Sequence, residues 1–87
     1  MTTTMRTESE LFNGWKNYET WNVSLWIQNE FVLYREACGI VMDGGKYQDF
    51  VKLMQEMGCT HTPDGVQWDD VNIDGLEINE MMQELIA

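Results

Sequence analysis

Basic residues are scarce in this chain. Five Lys and Arg stand against fifteen Asp and Glu, a formal net charge of −10 over 87 residues. Proteins that bind a phosphate backbone do so by displacing its counterions with Lys and Arg, so this balance argues against direct nucleic-acid binding. There is one histidine, His61, and two cysteines, Cys38 and Cys59. A structural zinc ion takes four ligands, mostly Cys and His, so Cys59 and His61, although two apart, are too few with Cys38 to make such a site. A nucleophile needs a neighbouring base, and nothing in the spacing sets either thiol beside the lone imidazole. The chain has no P-loop, no GxGxxG and no HExxH, which removes the common phosphate, dinucleotide and metalloprotease motifs. No catalytic residue and no cofactor are expected. No apolar run approaches the ~18 residues of a membrane helix. The cysteines form no spaced motif and no signal peptide precedes them, so they read as reduced thiols of a cytoplasmic protein.

What is present is aromatic. Four Trp, three Tyr and three Phe offset the small size, because a buried aromatic removes roughly 150–250 Å² from water. The length fits one domain, here residues 10–87 behind a flexible polar lead at 1–9. Gly14 to Glu30 holds three of the tryptophans, Trp15, Trp21 and Trp26. Asn13-Gly14 is turn chemistry. Asn17 is positioned as an N-cap, with Glu19 in the first turn where the helix dipole favours negative charge. The apolar run continues to Met42, as one kinked helix or as two; two are preferred, the second beginning near Asn29, which can cap it. Asp43-Gly44-Gly45 then stops the chain.

Tyr47, Phe50, Val51, Met54 and Met57 repeat with helical spacing, and Gly58 stands where a left-handed residue closes a helix. Thr62-Pro63-Asp64-Gly65 has β-turn chemistry, and Val66-Gln67-Trp68 suits a short extended piece. A last helix is predicted from Gly75 to about Ile86, capped by Asp74, with Ile78, Met81, Met82 and Leu85 inward and Glu77, Glu80 and Glu84 forming an acidic ridge. The fold class is therefore all-α: a bundle of about four helices with one turn-rich loop.

Two sets of residues invite a functional reading. Asp70-Val71-Asn72-Ile73-Asp74-Gly75 matches the first half of a calcium loop, in which oxygens at alternate positions meet one cation. The second half departs: the bidentate acid falls due at Met81, and Glu80 is one residue early. A turn followed by an Asp cap is the bland alternative to a metal held by Asp70, Asn72 and Asp74. The second set is the acidic excess. Residues 43–87 carry ten acids and only Lys46 and Lys52. Asp64, Asp69, Asp70, Asp74, Glu77, Glu80 and Glu84, with Asp43 and Asp49, are expected either to form a solvated face or to present spaced negative charge to a basic partner, an imperfect mimic of DNA phosphates. The tryptophans are expected mainly in the core. Trp15 and Trp68, which lie outside the predicted helices, are the candidates for an exposed interface anchor.

Asn17-Tyr18-Glu19-Thr20-Trp21-Asn22-Val23 with Leu25-Trp26-Ile27 resembles the N-Y-E-T-W-N-V-x-L-W-I signature of a family of small proteins from bacteriophages, cyanobacteria and mobile elements. Thr62-Pro63-Asp64-Gly65-Val66 with Trp68-Asp69-Asp70 is similar to a second segment that recurs beside it. The family carries no assigned activity, so the resemblance implies a phage or plasmid accessory protein and transfers no site residue. With the charge it points to an inhibitor or modulator of a host protein, one with a basic nucleic-acid-binding site, in the host cytoplasm. The alternative is an interaction or structural module that acts through apolar surface, as a homodimer, because the first two helices carry more apolar surface than one small core absorbs.

Overall fold

The computed structural model describes residues 11–87, and the expected lead at 1–9 lies outside them. Among the described residues there are four helices: α1 (Tyr18–Asn29), α2 (Phe31–Met42), α3 (Tyr47–Glu56) and α4 (Gly75–Leu85). Helices α2 and α4 are central. Each packs on the other and on both α1 and α3, whereas α1 and α3 do not meet. No helix is long and apolar enough to cross a membrane.

Caps and turns follow the sequence closely, with one shift. Asn17 caps α1, its side-chain oxygen accepting the Thr20 N–H at 2.9 Å. Before it, Asn13 (φ 50°) and Gly14 (φ 89°) form a tight turn in which Phe12 and Trp15 exchange both backbone hydrogen bonds, at 2.7 and 2.8 Å. An Asn-Gly pair favours this turn because both central residues need positive φ. The run from Tyr18 to Met42 is two helices, but the residue that opens the second is Glu30 and not Asn29. The Glu30 carboxylate accepts the Leu33 N–H at 3.0 Å, while Asn29 ends α1 and its amide donates to the Leu25 carbonyl. Both side chains carry an acceptor oxygen; the place where α1 stops decides which one meets free N–H groups. Helix α3 has no Ser, Thr, Asn or Asp at its cap position. Instead Asp49 accepts the Lys46 N–H and Asn79, from α4, accepts the Tyr47 N–H at 2.7 Å.

The core is built from Val23 and Ile27 of α1, Leu33, Ala37 and Val41 of α2, Tyr47, Phe50, Val51 and Met54 of α3, and Ile78, Met81 and Met82 of α4. Met57, the last member of the α3 stripe, is instead exposed. The loop between α3 and α4 supplies the largest fully buried side chain, Trp68. Its ring meets Phe50 edge to face at 5.4 Å, and its carbonyl accepts the Tyr47 hydroxyl at 2.6 Å. Trp68 is therefore core and cannot serve as an exposed anchor. Trp15, Trp21 and Trp26 are each half-buried, and Trp15 and Trp26 pack against the edge of the core. Trp21 joins Phe12 and Tyr18 in an aromatic cluster with centroids 4.8 to 5.7 Å apart. The extended piece at Val66–Trp68 exists as a short hairpin on its own loop, with Thr62 N–H to Val66 carbonyl at 2.7 Å and Trp68 N–H to Thr60 carbonyl at 3.1 Å.

Candidate functional site

Helix α1 meets the α3–α4 loop with polar side chains and with the indole N–H of Trp26. Thr20, Asn22 and Ser24 are its buried polar residues; the first two bond residues of the loop, and Ser24 donates to the Trp21 carbonyl within the helix. The Asn22 amide NH2 donates to Asp64 at 2.7 Å, and its carbonyl oxygen accepts the Thr62 hydroxyl at 2.7 Å. Thr62 in turn accepts the Val66 N–H, and the Trp26 indole N–H donates to the same Asp64 oxygen at 2.9 Å. Gly65 N–H closes the predicted β-turn on the Thr62 carbonyl at 2.8 Å. Further along, Asn17 donates to the Asn72 carbonyl at 2.5 Å and Thr20 accepts the Asp74 N–H at 2.9 Å. The two sequence segments that carry the resemblance thus bind each other. Buried polar groups need partners, and here each segment supplies those of the other. The signal for this in the sequence was Thr20 and Asn22, polar residues inside an otherwise apolar run.

This fastening decides the fate of the candidate acids. Asp64 is exposed, yet the hydrogen bonds from Asn22 and then Trp26 hold its pKa below the ordinary 3.8 against a small opposing effect of desolvation. Asp70 accepts the Asn72 N–H at 2.8 Å, and Asp74 caps α4 by accepting the Leu76 and Glu77 N–H groups. The residues of the half calcium motif are thus arranged as a turn and a cap. Among the described residues no group of three His, Cys, Asp or Glu side chains is placed to hold a metal ion. Asp69 accepts a hydrogen bond from the Gln55 amide at 3.3 Å. Asp69 and Asp70 also add to the effect of burial on the Tyr47 phenol, whose pKa is pushed far above its ordinary value.

The ridge on α4 is different. Glu77 accepts the Lys16 backbone N–H at 2.9 Å, which pins the chain entering α1 against α4. That contact and the Asn13-Gly14 turn bring Trp15 beside the ridge. Gly14, Trp15, Gln28, Glu77, Glu80, Met81 and Glu84 together line a surface hollow of about 280 Å³. Glu80 and Glu84 are exposed at it, and Trp15 is half-buried. The fold therefore gathers four of the nine sequence candidates, Trp15, Glu77, Glu80 and Glu84, and leaves Asp64, Asp69, Asp70, Asp74 and Trp68 elsewhere. Gln28 and Met81 join them without any sequence signal, since their positions matter only once α1 lies on α4. An aromatic face beside carboxylates suits a guanidinium or ammonium group, through cation–π attraction and charge-assisted hydrogen bonds.

A second hollow, of about 360 Å³, contains Glu30, Leu33, Cys59, His61, Pro63 and Trp68. Its polar groups are turned to local partners. The Cys59 sulfur lies 3.7 Å from the His61 carbonyl, the His61 Nδ1 3.0 Å from the Thr60 hydroxyl, and Glu30 caps α2. The thiol faces backbone and not the ring, so this is not the geometry of a nucleophile and its base.

Residues 8–87 match the model described as Family of unknown function (DUF7249). The chain belongs to that family. No curated protein and no solved structure matches it.

Proposed function

We propose that this member of DUF7249 is a non-catalytic binding protein that engages a basic protein surface through the hollow between Trp15 and the α4 ridge. In this reading it is a phage-type accessory protein, and the surface it covers is the nucleic-acid-binding site of a host protein. The observation that supports it is the grouping of Trp15 with Glu77, Glu80 and Glu84 around one hollow. A Lys or Arg side chain of the partner enters that hollow and lies against the indole, while the carboxylates meet its charge. The surrounding excess of acids steers the encounter, and steering of that kind weakens with salt because exposed charges are screened beyond about 10 Å at 0.1 M.

The test uses the immobilised protein with host lysate, washed first at low and then at high salt, alongside a Glu80→Lys/Glu84→Lys variant and Trp15→Ala. The expected result is one basic protein that elutes with salt, is lost from both variants, and no longer binds its nucleic acid when the wild-type protein is added. A partner captured equally well by the charge-reversed variant would sink this reading.

A further inference from the structure

Helix α2 buries one row of side chains, Leu33, Ala37 and Val41. The opposite row is Phe31, Arg35, Gly39 and Met42, and it is open: Phe31 is 70% and Met42 72% exposed. Gly39 is the residue on this row that the single chain does not explain. A glycine inside a helix is destabilising relative to alanine. Its φ is not positive, and a Cβ built on it meets nothing within 4 Å. Neither turn geometry nor crowding inside the chain requires it. What the missing side chain leaves room for is the close approach of something from outside.

The charges around Gly39 indicate what approaches. Within α2 the charged residues are Arg35 and Glu36, 3.3 Å apart, so the helix has no net charge in a chain of −10. It is the least acidic of the four helices, and the acid just beyond its end, Asp43, has Arg35 to answer it. Arg35 stands four residues before Gly39, and Asp43 stands four after it. At the C-terminal end of α2, Ile40, Asp43, Gly44, Gly45 and Asp49 line a hollow of about 430 Å³. We propose that the chain pairs with a second copy of itself through α2, the two helices antiparallel and crossing at Gly39.

A two-fold axis at Gly39 places each Arg35 against the other copy's Asp43. Phe31 lies about 12 Å from Gly39 along the helix at 1.5 Å per residue, beyond Asp43 at about 6 Å. It is thereby carried past the end of the opposing helix and into the hollow there. The surface is self-complementary, as a two-fold interface must be: a cation and an aromatic knob on one half, and an acid and a hollow to receive them on the other. One helix pair with two inserted rings is a small interface, so association is reversible and depends on concentration. No residue of α2 lines the Trp15 hollow, so this inference stands or falls separately from the proposed function.

Sedimentation equilibrium over a wide concentration range tests it, with circular dichroism to verify that each variant is folded. The wild type is expected to move from monomer to dimer. Gly39→Leu should abolish pairing while keeping the helical signal. Phe31→Ser should weaken pairing by about thirtyfold, the usual scale of a lost hot-spot anchor. Arg35→Asp and Asp43→Arg should each weaken it by about tenfold, and the two together should restore it. That rescue is specific to the antiparallel crossing. A wild type that stays monomeric throughout would overturn the proposal and leave the face to a different protein. A dimer indifferent to Gly39→Leu, or a double variant no better than the single ones, would overturn it equally.

Discussion

The acids of the α3–α4 loop and the acids of the α4 ridge look alike as sequence and are used differently by the fold. Asp64, Asp70 and Asp74 each accept hydrogen bonds from nearby N–H groups, and through them the loop is tied to α1 and to the start of α4. Glu80 and Glu84 are exposed beside Trp15 and accept no hydrogen bond from the described residues. The lesson is that a carboxylate becomes part of the framework where it meets N–H groups with no other partner. Where it meets none, its charge is left for the solvent or for another molecule. Glu77 belongs to both sets, because one oxygen accepts the Lys16 N–H while the side chain borders the hollow.

The comparison can be broken most directly at Asn22. Asn22→Ala leaves the buried Thr62 hydroxyl without its acceptor and Asp64 with the Trp26 N–H as its remaining donor, and is expected to cost about 2–3 kcal/mol in urea unfolding. A cost no larger than that of an ordinary surface substitution would mean that Trp68 and the remaining ties to α1, not Asn22, hold the loop. Asp74→Ala removes the cap of α4 and should cost about 1 kcal/mol in the same measurement, with Asp74→Asn recovering most of it.

Asp64 gives a pH signature in place of a magnitude. Its folded-state pKa lies below the ordinary 3.8, so its contribution is present above the unfolded value and is lost as pH falls through the folded one. The gap in melting temperature between wild type and Asp64→Asn should therefore be widest near neutrality and close in acid. An unchanging gap would show that the carboxylate's charge is not what the network uses. The smallest effect belongs to the ridge. Glu80→Gln/Glu84→Gln is expected to leave stability within about 0.5 kcal/mol of wild type while weakening capture of a basic partner. A large loss of stability in that variant would place the ridge among the framework acids.

Much of the framework was legible before the structure. The Asn17 and Asp74 caps, the Asn13-Gly14 and Pro63–Gly65 turns, the stripe of α3 as far as Met54 and the stripe of α4 stand where the spacing puts them. The miss at Glu30 came from two adjacent residues that can both cap. The reading of the aromatics was weaker. Periodicity ranks residues within a helix and says nothing about a loop, so Trp68 carried no mark of its burial. Nor did Tyr18, Trp21 and Trp26 carry any mark that Thr20, Asn22 and Ser24 would be buried in α1 beside Val23 and Ile27 while these aromatics stayed partly exposed. Thr20 and Asn22 stood out as polar residues in an apolar run, but their partners, which make their burial favourable, lie on a segment about half the chain away.

By itself the sequence determined the helices, the caps of α1 and α4, the turns, the all-α class and the strong negative charge. Those features depend on interactions within a few residues and on composition, both of which can be read along a line. The tertiary structure alone decided which acids hold the fold and which face outward, which tryptophan fills the core and which borders a hollow, and that Gly39 lies on an open face. The bonds that make these decisions join residues far apart in sequence: 38 between Trp26 and Asp64, 42 between Asn22 and Asp64, and 61 between Lys16 and Glu77. Such contacts exist only after burial of the apolar core has brought α1, the loop and α4 together.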